Sequence, residues 1–135
     1  MVTKAKVIQT IGKRKEAIAK ATLYSSGKGV VRVNSVILNN IKPELARDRM
    51  SEPLQLAGET SEKVDIKVSV QGGGWQGQTE AVRLAIARSL VEFNKKLKKT
   101  FLDYDRHLIV QDIRHKEQRK PNDSKARASR QKSYR

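Results

Sequence analysis

Polar and apolar residues alternate most cleanly at positions 63–70 (KVDIKVSV), with Val64, Ile66, Val68 and Val70 on one face and Lys63, Asp65, Lys67 and Ser69 on the other. A period of two over eight residues predicts a half-buried strand. Residues 6–11 (KVIQTI) read as another strand, followed by a basic turn at 12–16 (GKRKE). Residues 17–24 (AIAKATLY) read as a strand from their length and flanking turn residues, while their alanines leave a helix as the alternative. The Gly-rich stretch 25–29 has hairpin chemistry, and residues 30–33 are expected to pair back across it as a third strand. Pro43 suits the first turn of a helix continuing through residues 44–50, and Pro53 predicts a break or two short helices before Gly58. After a glycine turn at 71–77, Val82, Ile86, Leu90, Phe93 and Leu97 step by four, four, three and four. That spacing predicts one long helix over about 78–99 with a buried stripe, and Arg83 and Arg88 on its other faces. A shorter helical piece at 101–104 and a strand at 108–110 complete the pattern. The order of elements predicts an α+β domain: a two-layer sheet with helices on one face.

Charge changes this picture from a fold to a partner. The 135 residues carry a formal net charge of +15. Positions 114–135 hold nine Lys/Arg against two acids, Glu117 and Asp123, and Ala126, Ala128 and Tyr134 are their only apolar side chains. Such a segment cannot bury enough surface to offset its ordering entropy, so alone in water it is expected to be disordered. The chain therefore divides into a globular RNA-binding domain at 1–113 and an extended basic tail at 114–135. The excess charge on both parts calls for a polyanion, and nucleic acid fits better than a membrane. No apolar run approaches a bilayer span, the tail has no interfacial apolar face, and no Cys is available for lipidation. No signal peptide is visible and cysteines are absent, so a reducing, cytoplasmic location is the default.

Candidate chemistry beyond charge is sparse. Gly72, Gly74 and Gly77 spell G-x-G-x-x-G between a predicted strand and a predicted helix, the context of a dinucleotide fingerprint. The acid such a fold needs about 20 residues on falls at Glu92, inside the predicted helix. The plainer reading is that glycines allow a sharp strand-to-helix turn. Trp75 has two readings, stacking on a base or covering the sheet edge. His107 stands near Asp103, Asp105 and Asp112, but those acids have Arg106 and Arg114 as ordinary partners. Two histidines without Cys give no metal spacing. The sequence thus predicts no enzyme, no cofactor, no metal and no small-molecule substrate. A generic RNA-binding or chaperone-like module and a small nucleotide-dependent enzyme remain the alternatives at this level.

Particular residues narrow the field. Gly12-Lys13-Arg14-Lys15 with Ala17, Val33-Asn34, Val64-Asp65-Ile66, Gly72-Gly73-Gly74 with Gly77-Gln78, and the run Ala85-Ile86-Ala87-Arg88-Ser89-Leu90-Val91 occur in that order. Tyr104-Asp105-Arg106, Asp112, Arg114, Glu117 and the terminal RQKSYR follow. Together they resemble the universal small-subunit ribosomal protein S-nine family, on the archaeal side of its archaeal–eukaryotic branch. The resemblance implies a fold like domain two of the small-subunit protein S-five, with a left-handed crossover. It further implies a body on small-subunit ribosomal RNA in the head, beside neighbouring ribosomal proteins, and a tail reaching peptidyl-site tRNA. Carried over by position, Lys132, Tyr134 and Arg135 are the expected tRNA contacts. Lys13, Arg14, Lys15, Arg114, Arg119, Lys120, Lys125, Arg127 and Arg130 are the expected ribosomal RNA contacts. Fully extended, residues 122–135 would reach about 45–50 Å. Three positions depart from the family pattern. Ser35 replaces the glycine of a tight Asn-Gly turn, which puts that turn in doubt. Ile113 and Gln118 replace prolines, which implies a less rigid path into the tail.

Overall fold

The computed structural model describes residues 6–128. Its five strands are β1 (Val7–Arg14), β2 (Ala17–Tyr24), β3 (Val31–Val33), β4 (Val36–Ile37) and β5 (Asp65–Gln71). Four helices are α1 (Glu44–Ala57), α2 (Glu59–Glu62), α3 (Trp75–Phe93) and α4 (Leu97–Tyr104). The strands form one sheet in the order β1-β2-β5-β3-β4, antiparallel except for the β3–β5 pair. The result is the expected α+β class. Among the described residues no helix is long and apolar enough to cross a membrane.

Alternation decides which face of the sheet is covered. Ile8 of β1, Ala17, Ala19, Ala21 and Leu23 of β2, and Ile66, Val68 and Val70 of β5 are buried beneath the helices. The unusual alanines of β2 have a packing reason: α3 lies on this face with Ala81, Val82, Ala85, Ile86 and Ala87 buried, so small residues meet small residues. Gly12 extends the same logic. A Cβ built there would sit 2.1 Å from the Ala81 carbonyl oxygen, so only glycine lets β1 run this close to the helix.

The strand pairing differs from the sequence expectation in one important respect. β3 does not pair back on β2; β5 lies between them, parallel to β3. The apolar face of β5 earns a central position because its buried side chains are best shielded with a partner on each side. The 25–30 stretch wraps the start of β5 instead of turning a hairpin. Asp65 Oδ1 accepts from the backbone N–H of Lys28 at 2.8 Å and of Val30 at 2.9 Å. Those two N–H groups hold its carboxyl below the usual carboxylate range, with nearby lysine charge adding to the effect.

The hairpin that does follow is β3–β4, whose tight turn forms even without the family's glycine. Asn34 and Ser35 adopt φ of +47° and +70°, the left-handed pair that a two-residue hairpin requires. Asn34 is anchored by side-chain bonds to both backbone groups of Val70, at 2.9 and 3.1 Å. These bonds hold the turn in a conformation that Ser35 alone disfavours.

Three helix boundaries also move. α1 continues through Pro53, with no break. Pro53 is fully buried and α1 packs on α3, so packing offsets the missing backbone hydrogen bond. The long helix expected over 78–99 is two: α3 starts at Trp75 and ends at Phe93, and Asn94 turns the chain before α4. Turning there folds α4 back and carries Phe101 into the core, where it is fully buried. The strand expected at 108–110 does not form: Leu108 ends a single 3-10 turn, Arg106–Leu108, begun by the Asp105 side chain accepting from the His107 N–H at 2.9 Å. Leu108 enters the core as one isolated plug.

Candidate nucleic-acid interface

The basic turn is tighter than its sequence suggested. Gly12, Lys13 and Arg14 belong to β1, and the loop itself is only Lys15 and Glu16, with Lys15 at φ +51°. The strand ends put Lys13 and Lys15 at one end of the sheet, beside the first turn of α3. The glycines explain this closeness. Gly72 takes φ +80°, and a Cβ on it would stand 2.5 Å from the Glu16 carbonyl oxygen. The G-x-G-x-x-G stretch therefore crosses over the basic turn, and among the described residues no strand follows β5 to complete a dinucleotide fold.

The root of the tail comes back to the same place. Arg14 Nη1 lies 3.0 Å from Asp112 Oδ2, an ion contact without hydrogen-bond alignment. Arg114 grips the same carboxylate, with Nη2 2.7 Å from Oδ2 and Nε 3.1 Å from both oxygens. Asp112 is therefore held well below the usual carboxylate range by the Arg114 side chain, then the Arg114 backbone N–H, with Arg14 charge contributing. Arg88 makes a second tie from α3. It donates to the Ile109 carbonyl at 3.0 Å and to the Ile11 carbonyl at 2.7 Å. With prolines absent at 113 and 118, side chains hold the tail's path where a stiff backbone would.

Farther along, Glu117 collects two cations: Lys120 Nζ at 3.2 Å and Arg127 Nε at 2.8 Å. All three groups are substantially exposed. Exposed pairs of this kind contribute about 0–1 kcal/mol each, so phosphates could displace Glu117 at small cost. Arg119 and Lys125 are exposed and make no ion pair among the described residues. Arg130, Lys132, Tyr134 and Arg135 lie outside the described residues.

Several important side chains were not recognised from sequence. Arg83, expected on a solvated face, is only 6% exposed. It binds Glu52 of α1 at 2.6 Å and Asp105 after α4 at 3.0 Å, with Glu80 at 3.8 Å. Burial alone would lower the Arg83 pKa, but hydrogen bonds to Asp105 and Glu52 outweigh it and hold the group charged. The faint signal was Glu80 three residues before Arg83, an i,i+3 pair. The uncovered face of the sheet carries a further cationic area, Lys20, Arg32 and Lys67, with the Lys67 ammonium 5.5 Å from the centre of the Tyr24 ring. Of the aspartates near His107, Asp105 and Asp112 are thus engaged with arginines and backbone, while Asp103 is exposed and makes no ion pair among the described residues. Among the described residues no cluster of His, Cys, Asp or Glu is arranged to hold a metal.

The profile of the family described as ribosomal protein S9/S16 matches residues 12–135, from the close-packed glycine of β1 through the tail. The chain belongs to this family. It is 48% identical over 132 residues to the small ribosomal subunit protein uS9 of Methanothrix thermoacetophila, covering 96% of this chain and 99% of that protein. It is 46% identical over 132 residues to the protein of the same name from Pyrobaculum aerophilum, covering 96% of this chain and 92% of that one. Family membership therefore extends across body and tail together, and the residues that tie them, Arg14, Arg88 and Asp112, all lie inside the matched span.

Proposed function

We propose that this chain is a structural component of the small ribosomal subunit in the cytoplasm. Its body binds ribosomal RNA in the head of the subunit, and its tail reaches peptidyl-site tRNA. The observation that carries the reading is the meeting of the basic turn and the tail root at Asp112, within a span that matches the family from Gly12 to Arg135. Lys13 and Lys15 face outward as point charges suited to a phosphate backbone. Arg14 acts at one remove, by directing the tail, while Arg114, Arg119, Lys120, Lys125, Arg127 and Arg130 continue the cationic track. Lys132 and Arg135, with Tyr134 beside them, meet the tRNA backbone. Contacts of this kind carry no base information, as suits a site that accepts every tRNA.

Truncation of residues 132–135 tests the reading. Subunits assembled with the shortened chain should keep the protein but hold peptidyl-site tRNA more weakly and maintain reading frame less well. Unchanged tRNA affinity and frame maintenance would reject the tail's role. A protein that no longer assembles would reject the separation of body and tail.

A further inference from the structure

One groove beside the tail root carries exposed apolar side chains that ion pairing does not explain. It runs between the start of α1, the start of α3 and the end of α4, with the basic turn at one end, and encloses about 680 Å³. That volume lies within the range of about 300–1,000 Å³ typical of small-ligand sites. Three large apolar side chains line it while remaining mostly in water: Leu45 is 59% exposed, Trp75 50% and Tyr104 58%. The core shows that this chain can bury an aromatic fully when it serves packing, as with Phe101. No described element covers Trp75 and Tyr104.

We propose that this groove is a stacking site for an unpaired nucleotide of RNA. The aromatic faces supply the surface for the base, since every base has a π-face and stacking tolerates any sequence. The phosphate end is supplied by Lys13 and Lys15, which line the groove and make no ion pair among the described residues. The first turn of α3 adjoins them and contains no acidic residue to compete. The acids of the groove floor are matched by arginines, Glu52, Glu80 and Asp105 by Arg83 and Arg49 and Asp112 by Arg14 and Arg114, so the floor presents no unpaired carboxylate to a phosphate. A duplex holds its bases already stacked, so the site selects a single strand, loop or bulge. An uncharged apolar protein segment would also meet the apolar side chains, but it would leave the two lysines without partners.

This inference rests on the RNA-binding reading, and the test separates the two. Trp75 is the only tryptophan, so its fluorescence in the full chain reports the groove directly. Three probes are titrated at one salt concentration: a single-stranded oligoribonucleotide, its duplex, and the same strand made abasic. Only the intact single strand should quench Trp75. Trp75→Leu should weaken single-strand binding by between about 5- and 150-fold, the equivalent of about 1–3 kcal/mol per stacked base. Trp75→Phe should restore most of the loss, and duplex affinity should be the same in both variants. Equal quenching by the abasic strand, or equal single-strand affinity of Trp75→Leu and the parent, would overturn the site. If the leucine variant does not fold, the abasic probe and Trp75→Phe decide. Photocrosslinking from position 75 in intact subunits should capture RNA; capture of a protein neighbour instead would also overturn it. Failure of the parent chain to bind any of the three probes would sink the RNA-binding reading itself.

Discussion

Replacing Gly12 by alanine should be among the most damaging single-methyl changes available in this protein. The added Cβ would stand 2.1 Å from the Ala81 carbonyl oxygen and 2.7 Å from the Ala85 nitrogen. Ordinary contact needs well over 3 Å, so strand and helix must separate by about 1 Å or more. The helix cannot yield, because Ala81 and Ala85 are fully buried between the sheet and α1. β1 is an edge strand and must retreat. Two hydrogen bonds span the gap it would open: Thr10 Oγ1 to the Ala85 carbonyl at 2.8 Å, and Arg88 Nη1 to the Ile11 carbonyl at 2.7 Å. Overpacking of this kind costs about 1–3 kcal/mol. A neutral hydrogen bond contributes about 1 kcal/mol and a charged one about 1.5–3 kcal/mol. These terms overlap, because one strand movement relieves the first at the expense of the others. A loss of about 3–5 kcal/mol is expected, against a total stability of about 5–15 kcal/mol for a domain. Urea unfolding followed by far-UV circular dichroism measures it. Since Arg88 also holds the Ile109 carbonyl, amides at 109–114 should exchange faster in the variant. A loss below about 1 kcal/mol would mean that β1 and α3 are not in close contact.

Other expectations are simpler to state. Ser35→Gly should stabilise by about 0.5–1 kcal/mol, because a left-handed φ of +70° burdens any residue with a Cβ; a melting temperature that falls would contradict the turn geometry. Arg83→Met should cost about 2–4 kcal/mol, less than a fully buried pair would, because Glu52, Glu80 and Asp105 keep partial access to water. Arg83→Lys should recover only part of this loss, since an ammonium cannot match the guanidinium fork; full recovery in denaturant melts would reject the hub. Asp65, Asp105 and Asp112 are all depressed in the folded state. Depressed carboxylates stabilise above their unfolded pKa of about 4 and lose that contribution as pH falls through the folded values. Melting temperature should therefore decline as pH is lowered below about 4, and a rise on acidification from pH 5 to 3 would reverse the sign of the argument.

The elements legible in the sequence were those whose pattern is local. β5 announces itself through strict alternation, and α3 through Val82, Ile86 and Leu90, all fully buried. Pairing is not local: nothing in residues 25–33 says that β5, some thirty residues later, will occupy the place beside β2. The same limit applies to Pro53 and Asn94. Taken locally, a proline breaks a helix and an asparagine inside a lysine run is a minor residue. The outcomes were set by the surface each segment buries, Pro53 against α3 and Phe101 in the core. At the candidate site the cations were legible, but not how they are engaged. Arg83 and Arg88 look like surface charge until the acids and carbonyls opposite them are placed by tertiary structure.

That engagement divides the basic residues into two kinds. Arg14, Arg83 and Arg88 engage carboxylates or carbonyls of distant parts of the chain, and Arg114 grips the Asp112 that Arg14 meets, a task suited to a planar fork with several fixed donors. Lys13, Lys15 and Lys20 make no ion pair among the described residues and keep compact, mobile charges at the surface. A net charge of +15 therefore does not act as one undifferentiated attraction. Of the 29 Lys/Arg behind it, some engage acids and carbonyls of the protein itself and help set the direction in which the tail leaves the domain. The others are presented to solvent. A chain with the same composition but its arginines and lysines exchanged would keep its attraction for a polyanion. It would lose the ties at Asp112 and Ile109, because an ammonium cannot reach two partners along fixed directions at once. The tail would then be attached to the body without being aimed by it.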